Sequence, residues 1–225
     1  MTADTPSNLV PKLRFPEFRD AHPWLAPAFS DLYSFKRTNT LSRDNLNYDA
    51  GEIRNIHYGD IHTKFKPLFR VRNEHVPYVK LDASANRFDG DAFCKEGDIV
   101  LADASEDIDD VGKAIEVVSL DGERVVAGMH TILATRRRSV PVVGFGGQLF
   151  QCSAVRDRIK KEAQGAKVFG ISPKRVSSVP VPIPATEVEQ QRIADCLGSL
   201  DELIAAAGRK LEALLQHKQG TLNKR

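Results

Sequence analysis

The chain has 225 residues, of which 41% are hydrophobic, enough to bury a core and to exclude wholesale disorder. Its net charge of +2 permits a nucleic-acid partner without demanding one. The three widely spaced cysteines, Cys94, Cys152 and Cys196, give neither a disulfide framework nor a zinc knuckle, and no apolar run reaches the ~18–20 residues that a membrane span requires.

Residues 1–23 hold Pro6, Pro11, Pro16 and Pro23 and read as an extended arm that packs onto the following domain through Leu13, Phe15 and Phe18. This polar start carries no basic-then-apolar signal, so a cytoplasmic location with reduced thiols is expected. From residue 24 to 184 the signals are mixed. Phe29, Leu32 and Tyr33 stand at helical spacing and predict a short helix. Strands are expected over 52–58, 76–81, 98–102, 114–119 and 124–135, with Asp121-Gly122 joining the last two as a hairpin turn. A helix is expected over 149–164, its apolar stripe made by Leu149, Cys152, Val155 and Ile159 and its stop by Gly165. Ser172-Pro173 opens another short helix in N-cap then N1 order. These signals describe an α+β domain without repeats.

Residues 185–225 differ in kind. Thr186 and Glu189 have capping-box spacing. Beyond them Ile193, Leu197, Leu200, Ile204, Ala207, Leu211 and Leu214 alternate by four and three residues, a heptad seam sustained for about three heptads. Gly208 and the run Ala205 to Ala207 weaken it, and Lys218 ends it. Such a narrow stripe favours pairing with another helix over packing back on its own domain.

Catalytic constellations are not found. Gly112-Lys113 lacks the upstream glycine of a phosphate-binding loop, and the glycine-rich run from Gly144 to Gly147 follows Pro141 and reads as a turn. Asp103, Glu106, Asp107, Asp109 and Asp110 form one dense acidic cluster. A metal-dependent nuclease using Asp98, Asp103 and Asp107 is the sharp alternative, and a solvated loop between strands is the simpler reading. The six histidines never pair at metal-binding spacing, and His130 reads as a core or edge residue of its strand.

Positive charge gathers in four places. Lys36 and Arg37 precede Thr38 and Asn39, with Arg43 behind, combining cations with short polar donors that suit phosphates and base edges. Lys64 heads a second group with Lys66, Arg70 and Arg72, and Arg136, Arg137 and Arg138 make the third. Lys160, Lys161, Gln164, Lys167 and Lys174 make the fourth, around the end of one expected helix and the start of the next. All are candidate DNA contacts.

Three stretches give the chain a recognisable look: Val10-Pro11-Lys12-Leu13-Arg14-Phe15-Pro16 with Trp24; Gly97-Asp98-Ile99-Val100-Leu101-Ala102-Asp103 with Gly128-Met129-His130-Thr131; and Val179-Pro180-Val181-Pro182-Ile183-Pro184 leading to Glu189-Gln190-Gln191-Arg192-Ile193-Ala194. With them the chain resembles the specificity (S) subunit of type I restriction–modification systems. The resemblance implies a target-recognition domain over 24–184, a spacer and dimerisation helix over 185–225, and no catalysis by this chain. It further implies double-stranded DNA, a modification subunit and a restriction subunit as partners. S-adenosylmethionine, ATP and magnesium are then expected on those partners and no cofactor here. Family members usually carry two recognition domains and two spacer helices, whereas this chain has one of each. It is then a half-subunit, a truncation, or a remnant that only binds the modification subunit. A functional half would form a homodimer through the seam and read an interrupted palindrome.

Overall fold

The structure, a computed structural model, describes residues 10–80, 82, 88–138 and 140–222. The first nine residues of the arm, Leu81 of one expected strand and the terminal Lys224 and Arg225 lie outside them.

Eleven strands are described: β1 Tyr33–Lys36, β2 Leu46–Asn47, β3 Ile53–Ile56, β4 Leu68–Arg70, β5 Tyr78–Val79, β6 Ile99–Ala102, β7 Ala104–Ser105, β8 Ala114–Ser119, β9 Arg124–Ala127, β10 Thr131–Arg136 and β11 Phe169–Gly170. One sheet has the order β1-β10-β6-β8-β4, a second β2-β5-β3-β9, and β11 pairs with β7. The helices are α1 Phe29–Leu32, α2 Tyr58–Thr63, α3 Phe145–Leu149, α4 Ser153–Glu162, α5 Pro173–Val176 and the long α6 Glu187–Leu222. Mixed sheets followed by one long helix make the α+β architecture that the sequence predicts.

The five-stranded sheet is covered on both faces, which is why its central strands read as unbroken apolar runs instead of alternating ones. Ile99 and Leu101 of β6 and Ile132 and Ala134 of β10 face a core shared with Phe29, Phe145, Phe150, Val155 and Ile159 from the helices. Val100, Ala102 and Leu133 face the opposite core, where Ile56, Val125 and Ala127 of the second sheet meet Ile61 of α2.

Four expectations change. Asp121 and Gly122 do adopt left-handed φ of 50° and 82°, but β8 and β9 are not paired with each other. β8 lies between β6 and β4, while β9 runs parallel to β3. Buried from Ala114 to Val117, β8 needs neighbours on both edges, and β6 and β4 supply them. The single strand expected over 124–135 splits in the same way. Gly128 sits where a Cβ would meet Ile56 O at 2.7 Å, His130 turns left-handed at φ 56°, and the chain passes from the second sheet into the first. The helix expected over 149–164 is broken as well. Cys152 is extended, with ψ 142°, so α4 starts at Ser153. The preceding glycine run forms α3, entered through Gly144 at φ 93°, instead of only a turn.

The junction with α6 also differs from a simple capping box. Thr186 Oγ1 accepts the Glu189 N–H at 3.3 Å, as expected. The Glu189 carboxylate, however, turns away from its own helix start and takes Arg14 Nε and Nη2, both at 2.7 Å, and Trp24 Nε1 at 3.0 Å. The arm is thereby fixed to the helix base, with Arg192 over the Phe15 ring, while Leu13 stays exposed.

Candidate nucleic-acid interface

β10 links two ends of the domain with different chemistry. At its Thr131 end five loops converge. The Thr38 hydroxyl donates to Thr131 O at 3.2 Å, and Asn39 Nδ2 donates to Ala127 O and to Asn55 Oδ1, both at 2.8 Å. His130 Nδ1 lies 3.3 Å from Asp103 Oδ1, and the His130 ring meets Tyr58 edge-on at 5.3 Å. His62 Nε2 reaches Ala104 O at 3.1 Å, and the Lys113 ammonium donates to His62 O. The hairpin around Gly165 joins the same edge, because β11 pairs with β7 and Ile171 N donates to Asp103 O.

Tyr58 and His62, like Asp60 and Lys64, share a face of α2 because they are four residues apart. Asp60 is buried and receives Arg43 Nη1 at 2.8 Å, Arg43 Nη2 at 3.1 Å and Lys64 Nζ at 2.9 Å. Burial pushes its carboxyl up, but the hydrogen bonds from Arg43 and Lys64 outweigh this and hold it below the usual range. His57 Nδ1 accepts the Gly59 N–H at 3.1 Å and lies 3.2 Å from Arg43 Nη2. Burial, then the Arg43 charge, lowers the His57 imidazole to about 4, so it stays neutral at physiological pH.

The sequence-predicted cations divide between the two ends. Lys36 is paired with Asp91 at 3.1 Å, and Arg37 beside it is exposed. Thr38 and Asn39 spend side-chain donors on the fold, and Arg43 and Lys64 share Asp60. Lys160 pairs with Asp109 at 2.7 Å, while Lys161, Gln164 and Lys167 are exposed toward the Gly165 hairpin. These residues belong to the converging loops. Lys174 is exposed on the short α5, which packs on the end of α4 through Arg175 and Glu162. Arg136, Arg137 and Arg138 lie at the opposite end of β10. There Arg136 Nη1 donates to Pro141 O at 2.9 Å, and Arg137 Nε donates to Ser30 O and Tyr33 O. Arg138 is exposed.

Tyr48, His57, Tyr58, Asp60 and His62 are not among the sequence-predicted contacts, and His130 occupies an exposed turn instead of the expected strand. Tyr58, Asp60 and His62 carried a signal in the four-residue spacings on α2, whereas Tyr48 and His57 carried none.

The carboxylates of the nuclease alternative do not meet. Asp98 is buried before β6, accepting Lys95 N at 2.8 Å, whereas Asp103 and Asp107 follow the other end of that strand. Five strand positions separate Asp98 from Asp103 by ~16 Å. Burial lifts the Asp98 carboxyl to about 6. Asp109 and Asp110 are paired with Lys160 and Lys113. Among the described residues no group of three or more His, Cys, Asp and Glu side chains is placed to hold a metal ion.

The other end of β10 is the helix base. Gln190 is buried, taking Val142 N on its carbonyl and giving its amide to Pro184 O. Glu116 is also buried, and accepts Gly144 N at 3.0 Å and Gly147 N at 2.6 Å at the start of α3. Burial raises its carboxyl to about 7. Past Ala194 the helix emerges from the core, with Gln148 Nε2 still donating to Asp201 Oδ2 at 2.7 Å. Ile193 still packs on the core, but Leu197, Leu200, Ile204, Leu211 and Leu214 are exposed, Ile204 by 70%, and so is Ala207. Among the described residues no helix is long and apolar enough to cross a membrane.

Neither a protein-family model nor a curated relative matches this chain. Solved structures do. The S subunit of the type I restriction–modification system from M. genitalium aligns with a TM-score of 0.59 and 15% identity, over 86% of this chain and 42% of its own. A chain from a type I R-M system structure aligns at 0.55 and 17%, covering 83% and 40%. The HsdS subunit from Thermoanaerobacter tengcongensis aligns at 0.51 and 16%, covering 83% and 39%. The chain thus has the fold of a type I specificity subunit over about two-fifths of the length of those proteins.

Proposed function

We propose that this chain is a DNA-specificity subunit of a type I restriction–modification system, without chemistry of its own. The loops at the Thr131 end of β10 read double-stranded DNA, and α6 assembles the complex. One observation carries the reading: in a domain with the S-subunit fold, the helix leaves the core with its heptad seam uncovered from Leu197 to Leu214. A helix that exposes such a seam buries it against another helix.

Two copies paired through α6 in antiparallel fashion place their domains at opposite ends of a rod. Its 36 residues correspond to ~54 Å at 1.5 Å per residue, longer than one DNA turn of ~34–36 Å. Each copy then reads one half of an interrupted, inverted site. A modification subunit carrying S-adenosylmethionine and a restriction subunit using ATP and magnesium act at the position so chosen.

The test is a methylome. The chain is expressed with its modification subunit in a host lacking methylation, and modified bases are mapped genome-wide. A new methyl-adenine motif made of two inverted identical halves is expected. An asymmetric motif overturns the homodimer. No motif from a soluble, associated complex overturns DNA recognition and leaves a chain that only binds the modification subunit.

A further inference from the structure

The Arg43–Asp60–Lys64 cluster has a donor and acceptor balance that points outward. Asp60 takes three N–H groups on its two oxygens. His57 Nδ1 faces both Gly59 N and Arg43 Nη2. Tyr48 Oη is itself an acceptor twice over, from Arg43 Nη1 at 3.3 Å and Lys64 Nζ at 3.2 Å. With its lone pairs so occupied, the phenol has only its own hydrogen left to offer. Lys64 retains an N–H beyond those given to Asp60 and Tyr48, and Arg43 retains its Nε–H.

The acceptors are therefore used within the cluster while donors remain. Two cations share one carboxylate, so one positive charge is in excess, and His57 adds none. The Arg43 and Lys64 side chains are 43% and 49% exposed, whereas Asp60 is sealed beneath them. The Tyr48 ring packs against His75, with centroids 4.3 Å apart, and lies 5.5 Å from the Lys64 ammonium. A pre-ordered set of donors with an uncompensated positive charge and no free acceptor selects an anionic oxygen. It does not suit a base edge, which mixes donors with acceptors.

We propose that Tyr48, Lys64 and Arg43 form a seat for one backbone phosphate of double-stranded DNA, with Asp60 and His57 as its positioning residues. The proposal rests on the DNA-recognition reading and assigns this corner of the loop edge to anchoring instead of sequence discrimination. Contacts run from the cluster through His57 and Tyr58, whose rings are 4.7 Å apart, to His130, so the seat fixes the depth at which that turn meets the duplex.

The test uses the full chain in complex with its modification subunit, and a duplex carrying the methylated motif. Lys64→Gln leaves Asp60 bound to Arg43, and Tyr48→Phe keeps the ring stack, so both variants retain the fold. Lys64→Gln is expected to weaken binding roughly ten-fold near physiological salt. It also lowers the slope of log K against log salt by ~0.9, the signature of one lost phosphate contact. Lys64→Arg restores the slope. Tyr48→Phe weakens binding several-fold with the slope unchanged, because no charge is lost. In all three variants the methylated motif stays the same. An unchanged slope and affinity in Lys64→Gln, or an altered motif in either neutral variant, overturns the phosphate seat while leaving DNA recognition intact. A wild-type complex that binds no DNA overturns both.

Discussion

Arg14 and Glu189 meet through two hydrogen bonds of 2.7 Å although 175 positions separate them in sequence. The pair ties the N-terminal arm to the first turn of α6, and Trp24 adds a third donor to the same carboxylate. Glu189 is buried, so the carboxylate depends on these partners for its charge.

Arg14→Met is therefore expected to lower Tm by several degrees. Burial raises the Glu189 carboxyl, but Arg14 and Trp24 outweigh it and leave the group below its usual value. A depressed folded-state value stabilises above the unfolded value and is lost as pH falls through the folded one. The difference between wild type and Arg14→Met should be full at pH 7 and close as pH drops below ~4. Thermal melts across that range measure it; a difference independent of pH would mean that packing, not the ion pair, holds the arm.

Glu116 has the opposite sign. Its carboxyl is raised to about 7, so the folded state holds a proton that the unfolded state releases near its ordinary value. Stability from this group falls as pH rises from ~4.5 to about 7 and is flat above that. The shift corresponds to about 3 kcal/mol. Glu116→Gln removes this dependence and gains on wild type as pH rises, leaving the smaller slope from Asp98, lifted to about 6. Urea unfolding at pH 5 and pH 8 gives both slopes.

Gly112 occupies a left-handed φ of 67°, and an added Cβ would collide with the Ile159 side chain. Gly112→Ala is expected to cost at least about 2 kcal/mol, from backbone strain and displacement of a buried isoleucine together. The denaturation midpoint should fall with its slope unchanged. A loss under 1 kcal/mol would show that α4 moves aside.

The seam predicts an assembly phenotype. Ile204→Asp with Leu211→Asp places charges where paired helices bury apolar side chains worth ~1.5–3 kcal/mol each. Sedimentation should show the wild-type chain as the proposed pair and the variant as a monomer. The circular dichroism of the sheets should be unaltered, since both residues stand clear of the domain. A variant that still pairs would move the interface elsewhere.

How much of this was legible in sequence depends on the range of the forces involved. The α6 seam and β8 were plain because local periodicity and buried runs define them. The Asp121-Gly122 turn was equally plain, but which strands it would serve was not. Strand partners are chosen by the tertiary need to close both edges of β8, and β9 finds its partner in β3, some seventy positions upstream. The left-handed turn at His130 and the break at Cys152 escaped for a similar reason. Apolar residues continue across both, and only packing in three dimensions distinguishes a run from two shorter ones. In the candidate interface, charge was visible and its commitments were not. Arg136 and Arg137 look as available as Arg37 until the carbonyls of Pro141, Ser30 and Tyr33 are seen to receive them.

β10 has a consequence beyond its place in the core. Its six residues are the span between the edge proposed to touch DNA and the base from which α6 departs, and they are sealed against substitution along Thr131 to Ala134 by packing on both faces. The loops at one end can therefore drift in sequence without disturbing the other. On the proposed reading, a lineage of such chains is free to acquire new vocabularies while its machinery for assembly stays unchanged.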